Sequence, residues 1–174
     1  MKFLSWRIVL AVIVATTMVS AQRIVPTASF VLNVDYAKFR YDDKSAYLEI
    51  YYGFYPSRIV FERVQNFYQG GVRLFTKLQN KSTGKLVVNE RAFLPVSVTD
   101  TSLASFRSTF VTQAGYAVPY GEYLLDVNAI DSLNETRSDS LSLPINLPAY
   151  SSEVATSDLE LCSNLKASEQ KRDP

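Results

Sequence analysis

The chain has 174 residues, and its 18 lysines and arginines against 17 aspartates and glutamates give a formal net charge of +1. This balance argues against nucleic acid or an anionic membrane surface as a partner. The chain has no histidine and one cysteine, Cys162. Histidine-dependent triads, histidine zinc sites, thiolate metal clusters and an intrachain disulfide are therefore excluded. Because no glycine-rich phosphate loop occurs either, no cofactor is expected.

The first 21 residues predict export. Lys2 and Arg7 form a short basic region, and residues 8–19, IVLAVIVATTMV, follow as an apolar core. A membrane-spanning helix needs about 20 consecutive apolar residues. The shorter core therefore favours a cleaved signal peptide over residues 1–21 rather than an uncleaved anchor. The mature chain would begin at Gln22, be periplasmic or extracellular, and meet a membrane only through its signal peptide.

The mature chain is predicted to consist of strands. Tyrosine (11 residues) and phenylalanine (10 residues) are abundant, and no long window shows helical periodicity. In residues 46–55, AYLEIYYGFY, Leu48 and Ile50 alternate with Tyr47 and Tyr51. The predicted strands are residues 30–42, 46–55, 58–64 (short strand or irregular edge), 71–79, 85–98, 105–112, 122–130, 140–147 and 154–165.

The segments also predict which positions turn the chain and which face inward. Between residues 71–79 and 85–98, Gly84 can supply a positive φ, and Pro95 marks an edge position or a bulge. In residues 122–130, EYLLDVNAI, Asp126 falls on the wetter face. The inward row of that strand is Tyr123, Leu125, Val127 and Ala129.

Turns about every 8 to 12 residues predict an antiparallel sandwich or barrel. The sandwich is favoured because several segments carry one apolar row each and because the chain has only six glycines for barrel corners. The predicted fold is therefore an all-β antiparallel β-sandwich over residues 22–165, immunoglobulin- or fibronectin III-like and without a disulfide. The antibody Cys–Trp–Cys pattern is excluded, since the single tryptophan, Trp6, lies in the signal segment.

The order of these segments resembles one bacterial family. FVLNVDYAKFRYDDKSAYLEIYYGF, a GEYLLDV strand closed by Asp131, and TSDLELC follow the signal segment in turn. Together they resemble the β-rich region N-terminal to the naming motif of GWxTD domain-containing proteins. That motif does not occur in this sequence, so residues 166–174 are interpreted as a charged tail or the start of a missing C-terminal region. The resemblance implies an exported bacterial protein of uncharacterised function and supplies no site residue.

Paired carboxylates are the remaining candidates for chemistry. Asp42 and Asp43 are candidates for a calcium site, and Glu49 and Asp126 for a glycosidase pair if they lie about 5 to 10 Å apart on one face. No local sequence resembles a calcium loop, in which several oxygen ligands converge within about a dozen residues. All four acids are interpreted as turn or solvent-face residues, and an enzyme is not expected.

Tyr47, Tyr51 and Tyr55 form the candidate surface row. Tyrosine combines an apolar ring with a hydrogen-bonding tip, so an exposed row can stack on sugar rings or seat a protein partner. The alternative is that both faces of this strand are covered and the rings serve packing.

Two functions therefore remain open. The first is an exported, non-catalytic module that makes protein–protein contacts in the bacterial cell envelope, with a protein partner or with its own C-terminal region. The second is a carbohydrate-binding module that uses the tyrosine row.

Overall fold

The computed structural model describes residues 22–100, 104–150 and 156–158. The predicted signal peptide, Cys162 and residues 166–174 lie outside these ranges. In the described ranges, no helix has both the length and the apolar character needed to cross a bilayer.

Strands dominate the described residues. In chain order they are β1 (Arg23–Ile24), β2 (Asn33–Arg40), β3 (Ser45–Phe54), β4 (Phe61–Val64), β5 (Phe67–Asn80), β6 (Leu86–Val98), β7 (Phe110–Pro119), β8 (Gly121–Asp131) and β9 (Ser138–Leu147). A 3-10 turn, Pro56–Arg58, precedes β4, and a short helix, α1 (Ala104–Arg107), precedes β7.

The strands form two antiparallel sheets. The smaller has the order β2-β3-β7. In the larger sheet, β5 pairs with β6 on one side. On its other side, the first residues of β5 pair with β4 and the later ones with β8. β9 then pairs with β8, and β1 pairs with β4. The predicted all-β antiparallel sandwich is confirmed. The order β2-β3-β7 against β6-β5-β8-β9 is compatible with an immunoglobulin- or fibronectin III-like topology.

A single apolar core joins the two sheets. On β3, Leu48, Ile50 and Phe54 are fully buried, as the alternation predicts. The predicted inward row of β8, from Tyr123 to Ala129, is buried as well. Burying an aliphatic or phenyl side chain contributes about 1.5 to 3 kcal/mol each, so these rows supply much of the driving force for folding.

A buried polar pair fixes how the sheets face each other. Tyr52 of β3 and Thr76 of β5 are both buried, and their hydroxyl oxygens lie 3.0 Å apart. A hydroxyl buried without a partner costs free energy, so this pair favours one alignment of the sheets over a slipped one.

The crossing from the small sheet to the large one takes place within a few residues. β7 ends at Pro119 and β8 begins at Gly121, whose φ of 151° is readily adopted only by glycine. The Tyr123 hydroxyl donates to the carbonyl of Pro119 at 2.7 Å. This bond is similar to the tyrosine corner of immunoglobulin-like sandwiches, in which a tyrosine near the start of a strand bonds back to the chain a few residues upstream.

A buried carboxylate closes the far end of β8. Asp131 is fully buried and accepts hydrogen bonds from the backbone N–H of Val60 at 2.6 Å and of Leu133 at 2.9 Å. The Arg137 Nε lies 4.0 Å from its Oδ2. The carboxylate therefore ties the β8–β9 turn to the start of β4.

Arg137 extends this joint to the N-terminal arm, which is the segment between β1 and β2. Its guanidinium donates to the carbonyls of Pro26 and Arg58 at 3.1 Å each, and also to that of Ala28. Asp139 accepts from the backbone N–H of Leu32 at 3.0 Å. The β8–β9 hairpin thus holds the segment that leads into β2.

Two predicted strands differ from the structure. Residues 105–112 do not form one strand, because the chain is helical to Arg107 and the strand runs from Phe110 to Pro119. The predicted strand 154–165 lies mostly outside the described ranges, and residues 156–158 within it are not in a strand.

The remaining strand predictions agree with the structure to within a few residues. Gly84 has the positive φ, 69°, expected for its turn. Pro95 lies in the edge strand β6, and the register irregularity of the β5–β6 pair falls at Leu78 and Gln79 instead.

We expect Asp131→Asn to lower the free energy of unfolding by about 3 kcal/mol, because it leaves Arg137 without its counter-charge and turns an amide toward a backbone donor. Urea unfolding measures this. The matched change on the same strand, Asp126→Asn, alters an outward side chain and should shift stability by less than about 0.5 kcal/mol. If the two changes lowered the free energy of unfolding equally, Asp131 would not hold the β8–β9 turn to the start of β4.

Tyr123→Phe should destabilise the protein by about 1 kcal/mol, since it removes one hydrogen bond and leaves the ring in the core. Thermal unfolding checks this against Tyr55→Phe, because the Tyr55 hydroxyl has no hydrogen bond within the described ranges. A neutral Tyr123→Phe would show that the corner does not stabilise the crossing.

Candidate functional site

The predicted tyrosine row lies on and just after β3, the middle strand of the small sheet. Tyr47 and Tyr51 are on the outer face and are half-buried, and Tyr55 follows the strand and is 37% exposed. Gly53, between Tyr51 and Tyr55, is buried. The rings are therefore not one evenly exposed row.

Tyr47 lies across the neighbouring strand. A Cβ at Gly115 of β7 would collide with the Tyr47 hydroxyl, so glycine leaves the space that the ring occupies. The exposed ring of Tyr41 stacks beside Tyr47, with centroids 6.3 Å apart. This end of the outer face is accordingly an aromatic pair.

The other two tyrosines have different neighbours. The Tyr51 hydroxyl donates to Glu49 Oε2 at 2.6 Å. The Arg58 guanidinium carbon lies 5.9 Å from the centre of the Tyr55 ring, within cation–π distance. Each predicted site tyrosine is thus engaged by a separate group within the protein.

The candidate glycosidase pair is divided by the core. Glu49 is on the outer face of the small sheet and Asp126 on the outer face of the large one. Sheets pack about 10 Å apart, and these side chains point away from each other, so they do not flank one glycosidic bond.

Asp42 and Asp43 serve the turn between β2 and β3. Asp42 Oδ1 accepts from the Lys44 N–H and the Ser45 hydroxyl, both at 2.8 Å, and Asp43 pairs with Arg40 at 2.6 Å. The Lys44 N–H, followed by the Ser45 hydroxyl, lowers the pKa of the Asp42 carboxyl. Across the described ranges no three histidine, cysteine or acidic side chains are grouped to hold a metal ion.

The edges of the two sheets differ in how they are protected. Exposed edge strands present unpaired backbone groups, and proteins protect them with charges, proline, bulges or a covering segment. Three long edge strands carry charged residues or an internal proline. These are Asp35, Lys38 and Arg40 on β2, Glu90, Arg91 and Pro95 on β6, and Asp139 and Pro144 on β9.

The edge of β2 is also covered. The Asp158 N–H donates to the Lys38 carbonyl at 3.2 Å, and the Lys38 N–H donates to Asp158 Oδ2 at 3.1 Å. The Tyr150 hydroxyl donates to the same carbonyl at 3.3 Å. Tyr150 and Asp158, which follow β9 in the chain, therefore lie against this edge.

The free edge of β7 is the candidate functional site. Its sequence, FVTQAGYAVP, has no charged residue, and its single proline is the last position. It pairs with β3 in unbroken register from Phe110 to Pro119, without a bulge. Among the described strands, none other than β3 pairs with it. In an antiparallel edge strand, alternate residues point their N–H and C=O groups away from the sheet, so β7 offers a regular row of donors and acceptors.

The outward side chains of β7 leave this row accessible. Val111 is 63% exposed, and Gln113, Gly115 and Ala117 are exposed as well. They are short or flexible, so another extended segment can approach the backbone.

The inner side of β7 is anchored to the large sheet. The Tyr116 hydroxyl donates to Glu90 Oε2 of β6 at 2.9 Å, beside a small cavity of about 80 Å³ between the sheets. Burial, with a smaller contribution from Tyr52, raises the pKa of the Tyr116 phenol above its usual range. Burial likewise raises the pKa of Tyr52. The anchor keeps β7 in the sandwich while its outer edge stays open.

The sequence analysis did not identify this site because the predicted strand ended at residue 112, whereas β7 continues to Pro119. Ala114 and Gly115 have low strand propensity, and the glycine interrupts the alternation. The available signal was the absence of charge over residues 110–119.

No known family model matches the chain, and no curated protein matches it. Among solved structures, it is similar to a β-glucuronidase from Bacteroides uniformis, with a TM-score of 0.43 and 10% identity over 67% of this chain and 13% of that chain. A protein from Bordetella pertussis described as ApaA has a TM-score of 0.41 and 7% identity over 72% of this chain and 97% of that chain. These likenesses carry no conclusion about function.

The stability of the protein should fall as the pH rises above about 10, because unfolded tyrosines lose their protons there while Tyr116 and Tyr52 keep theirs in the folded state. Tyr116→Phe removes one of these groups, so its unfolding free energy should fall less between pH 8 and pH 11. Urea unfolding at pH 8 and pH 11 tests this, and the decline of each protein is measured from its own unfolding free energy at pH 8. Identical declines would contradict the burial of this phenol.

Proposed function

We propose that the chain is an exported, non-catalytic β-sandwich module that makes protein–protein contacts in the bacterial cell envelope, with the free edge of β7 as its contact surface. The observation that carries the proposal is the uncharged, regularly paired edge of residues 110–119. Such an edge accepts an added strand, in which main-chain hydrogen bonds give affinity and alternate side chains give specificity.

The contrast between edges supports β7 as the surface. The edges of β2, β6 and β9 carry charges or internal prolines, and the β2 edge is also bonded at Lys38 by Asp158 and Tyr150. Proteins protect exposed edges against unwanted pairing. Within the part of the chain that the structure describes, β7 is an unprotected edge beside three protected ones, and a partner that covers it would explain the difference.

The partner is an extended protein segment of low charge. Val111 and Gln113 alternate with inward-facing Thr112 and Ala114, so one face of an added strand would meet an apolar and an amide side chain. No fixed charge on β7 would attract or repel a particular sequence. Specificity would therefore depend on side chains that fit against Val111 and Gln113.

Export and the lack of catalysis are supported by separate observations. Residues 1–21 have the basic region and apolar core of a signal peptide. The chain has no histidine, and the acids weighed as a catalytic pair, Glu49 and Asp126, lie on opposite outer faces. An exported module that binds its partner without transforming it accounts for the signal segment and for the separation of the two acids.

Carbohydrate binding at Tyr47, Tyr51 and Tyr55 receives less support. Tyr51 donates its hydroxyl to Glu49, and Arg58 lies over Tyr55. Tyr47 is stacked with Tyr41 and belongs to an aromatic pair. A glycan that binds here would lose affinity on Tyr47→Ala, whereas strand addition at β7 would not require the ring.

A photo-crosslinking amino acid at Gln113 tests the proposal in the envelope of the producing bacterium. Crosslinked proteins are identified by mass spectrometry, and the purified partner is then tested for binding. We expect the partner to slow hydrogen exchange of the β7 amides. Val111→Lys with Gln113→Lys should weaken binding at least about 10-fold, because lysines on an edge oppose strand addition.

The control places the same charges on another edge. Val87→Lys with Ser97→Lys on β6 should leave binding unchanged. Crosslinks that identify no partner, or binding that survives the β7 lysines, would overturn the proposal.

A further inference from the structure

The outer face of the large sheet carries an open groove. Its volume is about 740 Å³, within the range of about 300 to 1,000 Å³ typical of small-molecule sites. The groove lies on the outer faces of β5, β6, β8 and β9, across the sandwich from the tyrosine row.

The strand register places eight side chains of the groove in two rows. One row is Arg91, Phe75, Asn128 and Ser140, and the other is Asn89, Lys77, Asp126 and Ser142. Neighbouring strands are about 4.8 Å apart and residues on one face about 7 Å apart, so the rows cover roughly 14 by 7 Å. An extended ligand lying across the strands would contact both rows.

Several polar groups in the groove are directed at solvent. The side chains of Lys77, Asn89 and Asn128 have no hydrogen-bond partner within the described ranges of the protein. Asp126 accepts from Ser142 through one carboxylate oxygen, and within the described ranges its second oxygen is open to another donor. The groove therefore offers donors and acceptors side by side.

An aromatic ring lies among these polar groups. Phe75 is half-buried, and the Arg91 guanidinium carbon is 5.5 Å from its ring centre. A phenylalanine on the outer face of a strand gives the floor an apolar patch. The guanidinium above it is held in place for directed hydrogen bonds.

The charges of the lining nearly balance. Lys77 and Arg91 lie beside one outward acid, Asp126, because the Glu90 carboxylate turns inward to the Tyr116 hydroxyl. An excess of one positive charge on an open face gives a phosphate or polyacid only weak attraction and gives a cation none. A neutral ligand with hydroxyl groups and apolar C–H faces suits this lining. Its hydroxyl groups can bond to the donors and acceptors of the groove, and its C–H faces can pack on the Phe75 ring.

We propose that this groove binds a neutral carbohydrate. The site is independent of the β7 edge and goes beyond the protein-contact function proposed above. It also lies on the opposite sheet from the tyrosines for which sugar binding was predicted.

A glycan array of neutral and acidic oligosaccharides, followed by calorimetry with each retained glycan, tests the proposal. We expect neutral glycans to be retained and Asn128→Ala and Lys77→Ala each to lower affinity about 3- to 10-fold, since each removes one or two hydrogen bonds. Phe75→Ala should also lower it. Because Lys77 and Asn128 face outward, circular dichroism of their variants should match the parent protein.

Two controls separate this site from the other surfaces. Asn33→Ala makes the same change on the outer face of the small sheet and should leave binding intact, as should Val111→Lys with Gln113→Lys. Retention of acidic glycans alone, of none, or binding lost on Tyr51→Ala but kept on Asn128→Ala, would overturn the proposal. Failure of the β7 crosslinking experiment would leave this result unaffected.

Discussion

The sandwich depends on one buried carboxylate at its end. Asp131 receives backbone N–H groups from two different segments, and Arg137 carries the joint on to the N-terminal arm. A buried charge is tolerated only when it is paired and hydrogen-bonded, so these contacts must form together. Once they form, the arm, β4 and the β8–β9 hairpin have a single relative placement. That placement sets β2 against the core and leaves β7 as the opposite edge of the small sheet.

The two outer surfaces then differ in chemistry because of which residues the register brings together. On the large sheet, cross-strand pairing aligns amides, hydroxyls and charges around Phe75. On the small sheet, Gly115 lets Tyr47 lie flat, so the aromatic side chains are partly used in packing. At the edge, β7 presents backbone rather than side-chain chemistry. Protein contact and ligand contact can therefore use separate faces of one fold.

Alternation of residue types was enough to predict the layered architecture. The inward residues Leu48 and Ile50 on β3 and Tyr123 on β8 were correctly placed, because a period of two is a property of one strand. The groove was not predictable, since it depends on the alignment of four strands that are separate in the sequence. The role of Asp131 was not predictable either, because its donor Val60 is 71 residues away in the sequence. Gly115 concealed the strand that carries the candidate edge.

Amide hydrogen exchange of the isolated protein, followed by NMR, tests most directly whether β7 is a free edge of a sandwich. We expect strong protection at successive amides of β3, which is paired on both sides. Along β7, slow and fast amides should alternate, because only every second N–H is bonded to β3. Uniform protection along residues 110–119 would mean that the edge is already covered, and uniformly fast exchange would mean that β7 is not part of the sheet.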